Sequence, residues 1–326
     1  MKVGIAGAGF MGETHADCYK KIKDVELFAI AEKNDSKRQL FADKYKVSKI
    51  YKDVFEMIDD NEIDIVDICL PTFLHKESSV YALSKNKNVL LEKPISLSLN
   101  DALSIKEAAE KSKGKFMIAH VLRFWPEYKA IRKTVKEINN TETIREVFAL
   151  RFNEEPLWSE GTWIMDEKLS GGLIIDLMIH DIDFVIWTFG KVEKVYCNAI
   201  YNNNNYAIQV MANLKMNNGT TAYIEGGYLN PSGAGLSTQM RIYGESCLLE
   251  YYSNTSDINL IKKNTLVSKI PVFGNDGYFE EINYFINCIN ENRDPEIITS
   301  QDAIDTLKVC LAMKQSLLEN KWIEIL

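Results

Sequence analysis

An α/β chain in two parts is predicted: a doubly wound parallel-sheet domain over residues 1–120, then an α+β domain over residues 121–326 built on a large, mostly antiparallel open sheet. Three observations predict it. Up to residue 120, short apolar strands alternate with helical stretches, the pattern of a parallel sheet covered on both faces. Beyond residue 143, most strand-like runs are joined by turns, as in an antiparallel sheet. The chain's 326 residues exceed the usual size of one domain, so two hydrophobic cores are expected.

The first strand, Lys2 to Ala6, runs straight into Gly7-x-Gly9-x-x-Gly12, and Met11 to Ile22 has helical apolar spacing. The next apolar run, Glu26 to Ala31, delivers Glu32 twenty residues beyond Gly12. Strand, glycines, helix and acidic residue together form the Rossmann dinucleotide-binding fingerprint, which a glycine pattern alone would not be. Gly7 suits the tight turn, Gly9 lets a pyrophosphate approach backbone N–H groups beside Phe10 and Met11, and Gly12 lets helix and strand pack closely. The phosphates then meet a helix N-terminus, where unpaired donors and the dipole favour negative charge.

Further strands are expected at Ile65 to Leu70, Asn88 to Leu91 and Lys115 to Ala119, with helices at Ser36 to Tyr45, Val54 to Asp59, His75 to Lys85 and Leu99 to Lys111. Ligands in such sheets bind beyond the carboxyl ends of the strands. The loops at Gly7, Glu32 with Lys33, Leu70 with Pro71, and Glu92 should therefore line one crevice. After a helix at Pro126 to Ile138 come the strands Ile144 to Phe152, Val192 to Tyr201, Ala207 to Met216, Thr220 to Tyr228 and Gln239 to Tyr243. Asn217-Asn218-Gly219 is the clearest hairpin signal, since asparagine and glycine tolerate the positive φ of a tight turn. Asn202 to Asn205 reads as another turn. Two helices, Tyr278 to Glu291 and Ser300 to Leu318, and a short apolar tail, Trp322 to Leu326, close the chain. A large antiparallel sheet with one apolar face to cover suggests pairing with another subunit, so a homodimer or homotetramer through that sheet is expected.

With 38 basic against 46 acidic side chains the net charge is −8, which argues against nucleic acid as the main partner. No apolar run approaches the ~20 residues that span a bilayer, so no membrane partner is expected. The N-terminus does not resemble a signal peptide. Six cysteines without C-x-x-C spacing read as reduced structural residues, and a cytoplasmic location is expected.

Two segments carry candidate chemistry. In Leu90-Leu91-Glu92-Lys93-Pro94 a carboxylate and an ammonium stand where the chain leaves a buried strand. Such residues are often solvated strand ends, but the carboxyl edge beside the cofactor loop favours a site. Pro94 restrains the turn, with a cis peptide bond as one way of aiming Lys93, which can hydrogen-bond a reacting hydroxyl. In Gly171 to Trp187 nearly every position is apolar except Asp176, His180, Asp181 and Asp183. Asp176, His180 and Asp183 fall at i, i+4 and i+7, one polar stripe on a hydrophobic helix. Ionisable groups on a buried helix are costly unless paired or functional, so the stripe is either a satisfied internal network or a site. The Gly171-Gly172 pair is expected to let a ligand approach, and Asp181, off the stripe, is expected at the surface or as a cap. Asp-x-x-x-His also suits a metal, but no second ligand pair has recognisable spacing and a nicotinamide removes the need for one, so no metal is expected.

Taken together, these segments resemble the Gfo/Idh/MocA family, the relatives of glucose–fructose oxidoreductase and inositol dehydrogenase. The resemblance rests on GAGFMG with His15, VDICLPTFLH (66–75), VLLEKP (89–94), RFWPEY (123–128) and SGGLIIDLMIHDID (170–183), and spans essentially the whole chain. It implies a Rossmann domain followed by an open-sheet α/β domain with substrate between them. It further implies that Lys93, Asp176 and His180 are the catalytic lysine, aspartate and histidine, and that Thr72, His75 and Glu92 line the nicotinamide end of the cofactor. The implied reaction is hydride transfer between nicotinamide and a hydroxyl or ketone carbon of a sugar, inositol or related polyol. Where many relatives carry an asparagine before the Arg-Phe pair, this chain has His120-Val121-Leu122-Arg123. Arg123, Trp163 and Tyr278 are pocket candidates, with Arg151 a weaker one. Each suits a structural role equally: a sheet-edge ion pair, a packed aromatic or a helix cap.

Glu32 favours NAD, because a carboxylate there accepts from the ribose 2′-OH and repels a 2′-phosphate. Lys33, Lys37 and Arg38 soften that preference and leave NADP open. Two other readings compete with the dehydrogenase: an enzyme that recycles bound NAD during epimerisation or hydrolysis, and a dinucleotide sensor without turnover. The intact Lys93, Asp176 and His180 argue against the sensor.

Overall fold

A computed structural model describes residues 1–156 and 160–325 of the chain. Strand β1 (Lys2–Ala6) leads through the glycine loop into α1 (Phe10–Tyr19), followed by β2 (Glu26–Ala31), α2 (Asp35–Tyr45), β3 (Lys49–Tyr51) and α3 (Val54–Ile58). Next come β4 (Ile65–Ile68), α4 (His75–Ser84), β5 (Asn88–Glu92), α5 (Leu99–Lys111) and β6 (Phe116–Ala119). Helix α6 (Pro126–Asn139) and β7 (Ile144–Phe152) precede α7 (Glu167–Ser170), a π turn at Ile174–Met178 and α8 (Ile179–Phe189). Strands β8 (Val192–Tyr201), β9 (Ala207–Met216), β10 (Thr221–Gly227) and β11 (Ser237–Gly244) lead into β12 (Cys247–Tyr252), β13 (Asp257–Lys262) and β14 (Ser268–Lys269). Helices α9 (Gly277–Asn290) and α10 (Ser300–Glu319) and strand β15 (Ile323–Glu324) end the chain. These elements form two compact units: Met1–Phe124 with Asn275–Ile304, and Trp125–Gly274 with Asp305–Leu326.

The first unit is a six-stranded parallel sheet in the order β3-β2-β1-β4-β5-β6. Strand order reverses between β1 and β4, the switch point at which doubly wound sheets bind their ligands. The sequence reading placed every strand of this sheet except β3, which is only three residues long and pairs with β2. The helix expected at Tyr278 to Glu291, within the 121–326 domain, forms as α9 but belongs to the first unit. The physical reason is its apolar face: Ile282, Phe285 and Ile286 are buried in one core with Val3, Ile5 and Ala16. Burying each such side chain stabilises by roughly 1.5–3 kcal/mol, which draws α9 back across about 150 residues of intervening chain.

The second unit is a nine-stranded sheet in the order β14-β13-β12-β11-β7-β10-β9-β8-β15. All pairings are antiparallel except β7 with β10. The Asn217-Asn218-Gly219 hairpin forms as expected, with Gly219 at φ +88° and Met216 N–H donating to Thr220 O at 2.9 Å. The Asn202–Asn205 turn also forms, closed by Asn205 N–H on Asn202 O. Strands β12 to β14 extend the sheet beyond the expected set, and the apolar tail becomes β15, pairing Ile323 with Val195. Alternation splits the central strands cleanly: Val147, Ala149, Ile224 and Ile242 are buried, and α6 and α8 pack on this sheet.

Candidate active site

The candidate nucleotide site lies at the first unit's switch point. Gly7 sits at φ +100°, and a Cβ there would meet Cys69 O at 2.6 Å. A Cβ on Gly12 would lie 2.0 Å from Gly7 O, so helix and turn touch backbone to backbone. Gly9, the residue capping α1, is different: a Cβ there would meet nothing within 4 Å. The open space at Gly9 adjoins the helix N-terminus, the cradle a pyrophosphate needs. Phe10 is largely exposed and Met11 half-buried in the first helical turn.

Glu32 follows β2. Its Oε2 accepts Ala8 N–H at 3.0 Å and its Oε1 accepts Asn34 N–H at 2.9 Å, which ties the glycine loop to the β2 edge and leaves each oxygen a second lone pair. Arg38, which could have met a 2′-phosphate, donates to Glu32 O at 2.6 Å and pairs with Asp35 at 2.6 Å. Lys33 is exposed.

On the other side of the switch point, Leu70 and Pro71 are half-buried and Thr72 is buried. The Lys93–Pro94 peptide bond is cis. Glu92 is buried, Lys93 is half-buried, and Glu92 Oε2 accepts the Lys93 N–H at 3.0 Å. His75 is placed as a strut rather than a contact: it is 1% exposed, with Nδ1 2.8 Å from Pro94 O and Nε2 2.8 Å from Leu70 O. Its ring links the two loops that follow β4 and β5, and burial lowers its pKa.

Asp176 and His180 belong to the second unit. Across residues 170–185 every position is buried except these two. Asp176 lies in the π turn and His180 in the first turn of α8. The wider i→i+5 turn puts the helix out of phase with a simple α-helical stripe, and π turns are frequent at functional sites. Asp183 therefore falls inside: it is 1% exposed and accepts from Thr306 Oγ1 at 3.0 Å. The expected three-residue stripe is thus a pair, with Asp183 in the core.

Two further expectations for this segment are corrected. Asp181 is not at the surface: it is 1% exposed and takes Arg151 in a two-pronged pair, Nε at 2.5 Å and Nη2 at 3.1 Å. Burial opposes the Arg151 charge, but Asp181 and Tyr128 together offset this and raise its pKa. Arg151 also reaches Tyr128 Oη at 3.2 Å, which makes it a core residue rather than a pocket one. Asp181→Ala should cost about 3–5 kcal/mol in urea unfolding, the effect of leaving a buried guanidinium unpaired, where a surface aspartate would cost almost nothing. The Gly171-Gly172 pair serves chain geometry, at φ +85° and +74°, and a Cβ on Gly171 would meet Ile175 Cβ at 2.6 Å.

A partner that sequence reasoning missed is Tyr228, just past β10. Its hydroxyl donates to Asp176 Oδ2 at 2.8 Å, and burial together with that carboxylate raises its pKa well above the usual value, so it stays a donor. Fifty-two positions separate the two residues, and no local pattern announces the contact. Among the pocket candidates, Arg123 is 2% exposed, donates to Ile297 O at 2.8 Å and stands 3.6 Å from Asp302. Tyr278 lies in the first turn of α9, its N–H capped by Asp276 at 3.0 Å and its ring 6.4 Å from the His15 ring. Trp163 is half-buried in the 3₁₀ turn Glu160–Met165.

Known proteins match both parts of the chain. The chain is 26% identical to a myo-inositol 2-dehydrogenase of Thermotoga maritima, over 100% of this chain and 98% of that protein. It is 32% identical to a glucose-6-phosphate 3-dehydrogenase of Bacillus subtilis over 58% of this chain and 53% of that one. Its fold matches a levoglucosan dehydrogenase solved with NADH and L-sorbose at a TM-score of 0.89 and 18% identity, covering 100% of this chain and 99% of that one. A myo-inositol 2-dehydrogenase of Lactobacillus plantarum matches at a TM-score of 0.87 and 23% identity, over 100% and 99% of the two chains. Residues 1–120 match the family model of the oxidoreductase family with an NAD-binding Rossmann fold, and residues 133–250 match that of the GFO/IDH/MocA C-terminal domain. With both models matched in order along one chain, the protein belongs to the GFO/IDH/MocA family of NAD-binding oxidoreductases.

Proposed function

We propose that this oxidoreductase interconverts a secondary hydroxyl and a ketone on a sugar, inositol or related polyol, with NAD as cofactor and Lys93, Asp176 and His180 as its catalytic residues. The observation that carries the reading is the apolar 170–185 segment, where only a carboxylate and an imidazole escape burial. The relatives named for inositol and glucose 6-phosphate support the substrate class. When bound, the nicotinamide supplies a hydride acceptor or donor. His180 accepts the substrate hydroxyl proton. Asp176, whose Oδ2 accepts from Tyr228, holds the substrate hydroxyl or orients the imidazole. Lys93 hydrogen-bonds the reacting oxygen as it gains negative charge.

A panel of sugars, inositols and sugar acids, scored by absorbance of the reduced nicotinamide, tests the reading. Turnover of at least one polyol is expected, and none across the panel would sink it. The anchored Glu32 and the engaged Arg38 favour NAD over NADP. Glu32→Ala should narrow the ratio of kcat/KM for the two cofactors by at least tenfold, and a wild-type preference for NADP would refute the argument.

The second unit's sheet supports an oligomer. On the face opposite the buried Val147 and Ile242, the Phe148 ring lies 5.8 Å from Tyr223 and 5.9 Å from Tyr243. Such an aromatic face suits a second copy of the same sheet in a homodimer or homotetramer. Light scattering should give a dimer or larger, and a strict monomer would refute it. Among the described residues no helix is long and apolar enough to cross a membrane. The six free thiols suit the reducing cytoplasm in which we place the enzyme.

A further inference from the structure

His15, in the second turn of α1, is fully buried and has no part in the chemistry above. Its Nδ1 is hydrogen-bonded to Asp67 Oδ2 on β4 at 2.8 Å, while its Nε2 lies 3.2 Å from Glu92 Oε1 at the end of β5, a charge contact outside hydrogen-bond alignment. Cys69 donates to Asp67 Oδ1 at 3.4 Å. Asp67 is fully buried and Glu92 is 6% exposed. A neutral imidazole can donate to Asp67 but offers Glu92 no charge, whereas the doubly protonated ring donates to Asp67 and sets a positive charge beside Glu92. Burial is the largest influence and opposes that charge, but Asp67 and Cys69 together hold the His15 pKa well above its ordinary value. The groups around the ring are Asp67, Glu92, the Cys69 thiol, which burial keeps protonated, and the Tyr278 ring. His15, Asp67 and Cys69 also have the composition of a metal site. The 2.8 Å contact between Nδ1 and Oδ2 is a direct hydrogen bond, shorter than the ~3.3 Å that separates two ligands of one tetrahedral ion.

We propose that His15 is a positioning residue for Lys93: its imidazole ties Glu92 to Asp67 and so fixes the turn from which Lys93 leaves the sheet. The inference rests on Lys93 being catalytic. Glu92 is the link, because its Oε1 faces His15 while its Oε2 holds the Lys93 amide. Without the imidazole a buried carboxylate loses its charged neighbour and must rotate or take up a proton. Either response loosens its hold on the Lys93 backbone.

The test compares His15→Gln, which reaches one carboxylate at most and cannot carry charge, with Lys93→Ala and with His15→Gln/Glu92→Gln. In His15→Gln, kcat is expected to fall at least tenfold while the dissociation constant for NADH, read by fluorescence, stays within threefold. The double variant, in which two amides replace the charged pair, is expected to recover at least threefold of that loss. If His15→Gln fails to fold, Asp67→Asn is read in its place, with a loss of at least threefold in kcat expected. In the wild-type protein, nitrogen NMR should show both His15 ring nitrogens protonated at pH 8. Full activity in the variants beside an inactive Lys93→Ala overturns the positioning role alone. So does a loss shared equally by kcat and NADH binding with no recovery in the double variant. An active Lys93→Ala overturns the catalytic reading and this inference with it.

Discussion

Lys93→Ala is expected to lower kcat by about 10²–10³-fold, the effect of removing one preorganised donor to a developing oxyanion, while NADH affinity changes by less than threefold. The separation follows from where the residue stands. The proposed cofactor cradle consists of backbone groups of the glycine loop and the Glu32 carboxylate, which is anchored by Ala8 N–H rather than by the Lys93 side chain. Its turn is braced independently, by Glu92 on the Lys93 amide and His75 on the Pro94 carbonyl, so truncating the ammonium leaves the backbone in place. Steady-state rates with a fluorescence titration of NADH check it. Loss of NADH binding with unchanged turnover per bound cofactor would make Lys93 a binding residue instead.

His180→Ala is expected to lower kcat by about 10²–10⁴-fold, the range for a positioned general base, with part of the rate restored by added imidazole. Rescue distinguishes a missing proton acceptor from a damaged fold. The neighbours support a local effect: Ile179, Ile182 and Asp183 are buried and keep α8 packed, whereas His180 is not buried. A variant that keeps its melting temperature and full turnover would remove His180 from the mechanism. One that loses turnover without any imidazole response would point to a positioning role.

Much of the candidate site was legible in residue order. The spacing of Gly7, Gly9, Gly12 and Glu32 announced the nucleotide half, because a pyrophosphate needs a close backbone approach and a helix N-terminus that few sequences supply together. The Asp176/His180 pair stood out because charged groups are costly inside an apolar helix. Less legible was which of the neighbouring charges stay inside. Asp181 and Asp183 look like Asp176 in sequence, yet one is consumed by Arg151, thirty positions away, and the other by Thr306, 123 positions away.

The sequence by itself determined the fold class, the parallel and antiparallel halves and the glycine loop of the NAD-binding domain, since each depends on periodicity or on spacing within about 20 residues. Only the tertiary structure decided the rest. It returned α9 to the first unit, made His75 a strut between loops, put Tyr228 on Asp176 and placed His15 between two buried carboxylates. Each of these is a contact between residues far apart in the chain, or a choice of which nitrogen or oxygen meets which partner. Burial and packing settle such choices after the strands have paired, and local order carries no trace of them.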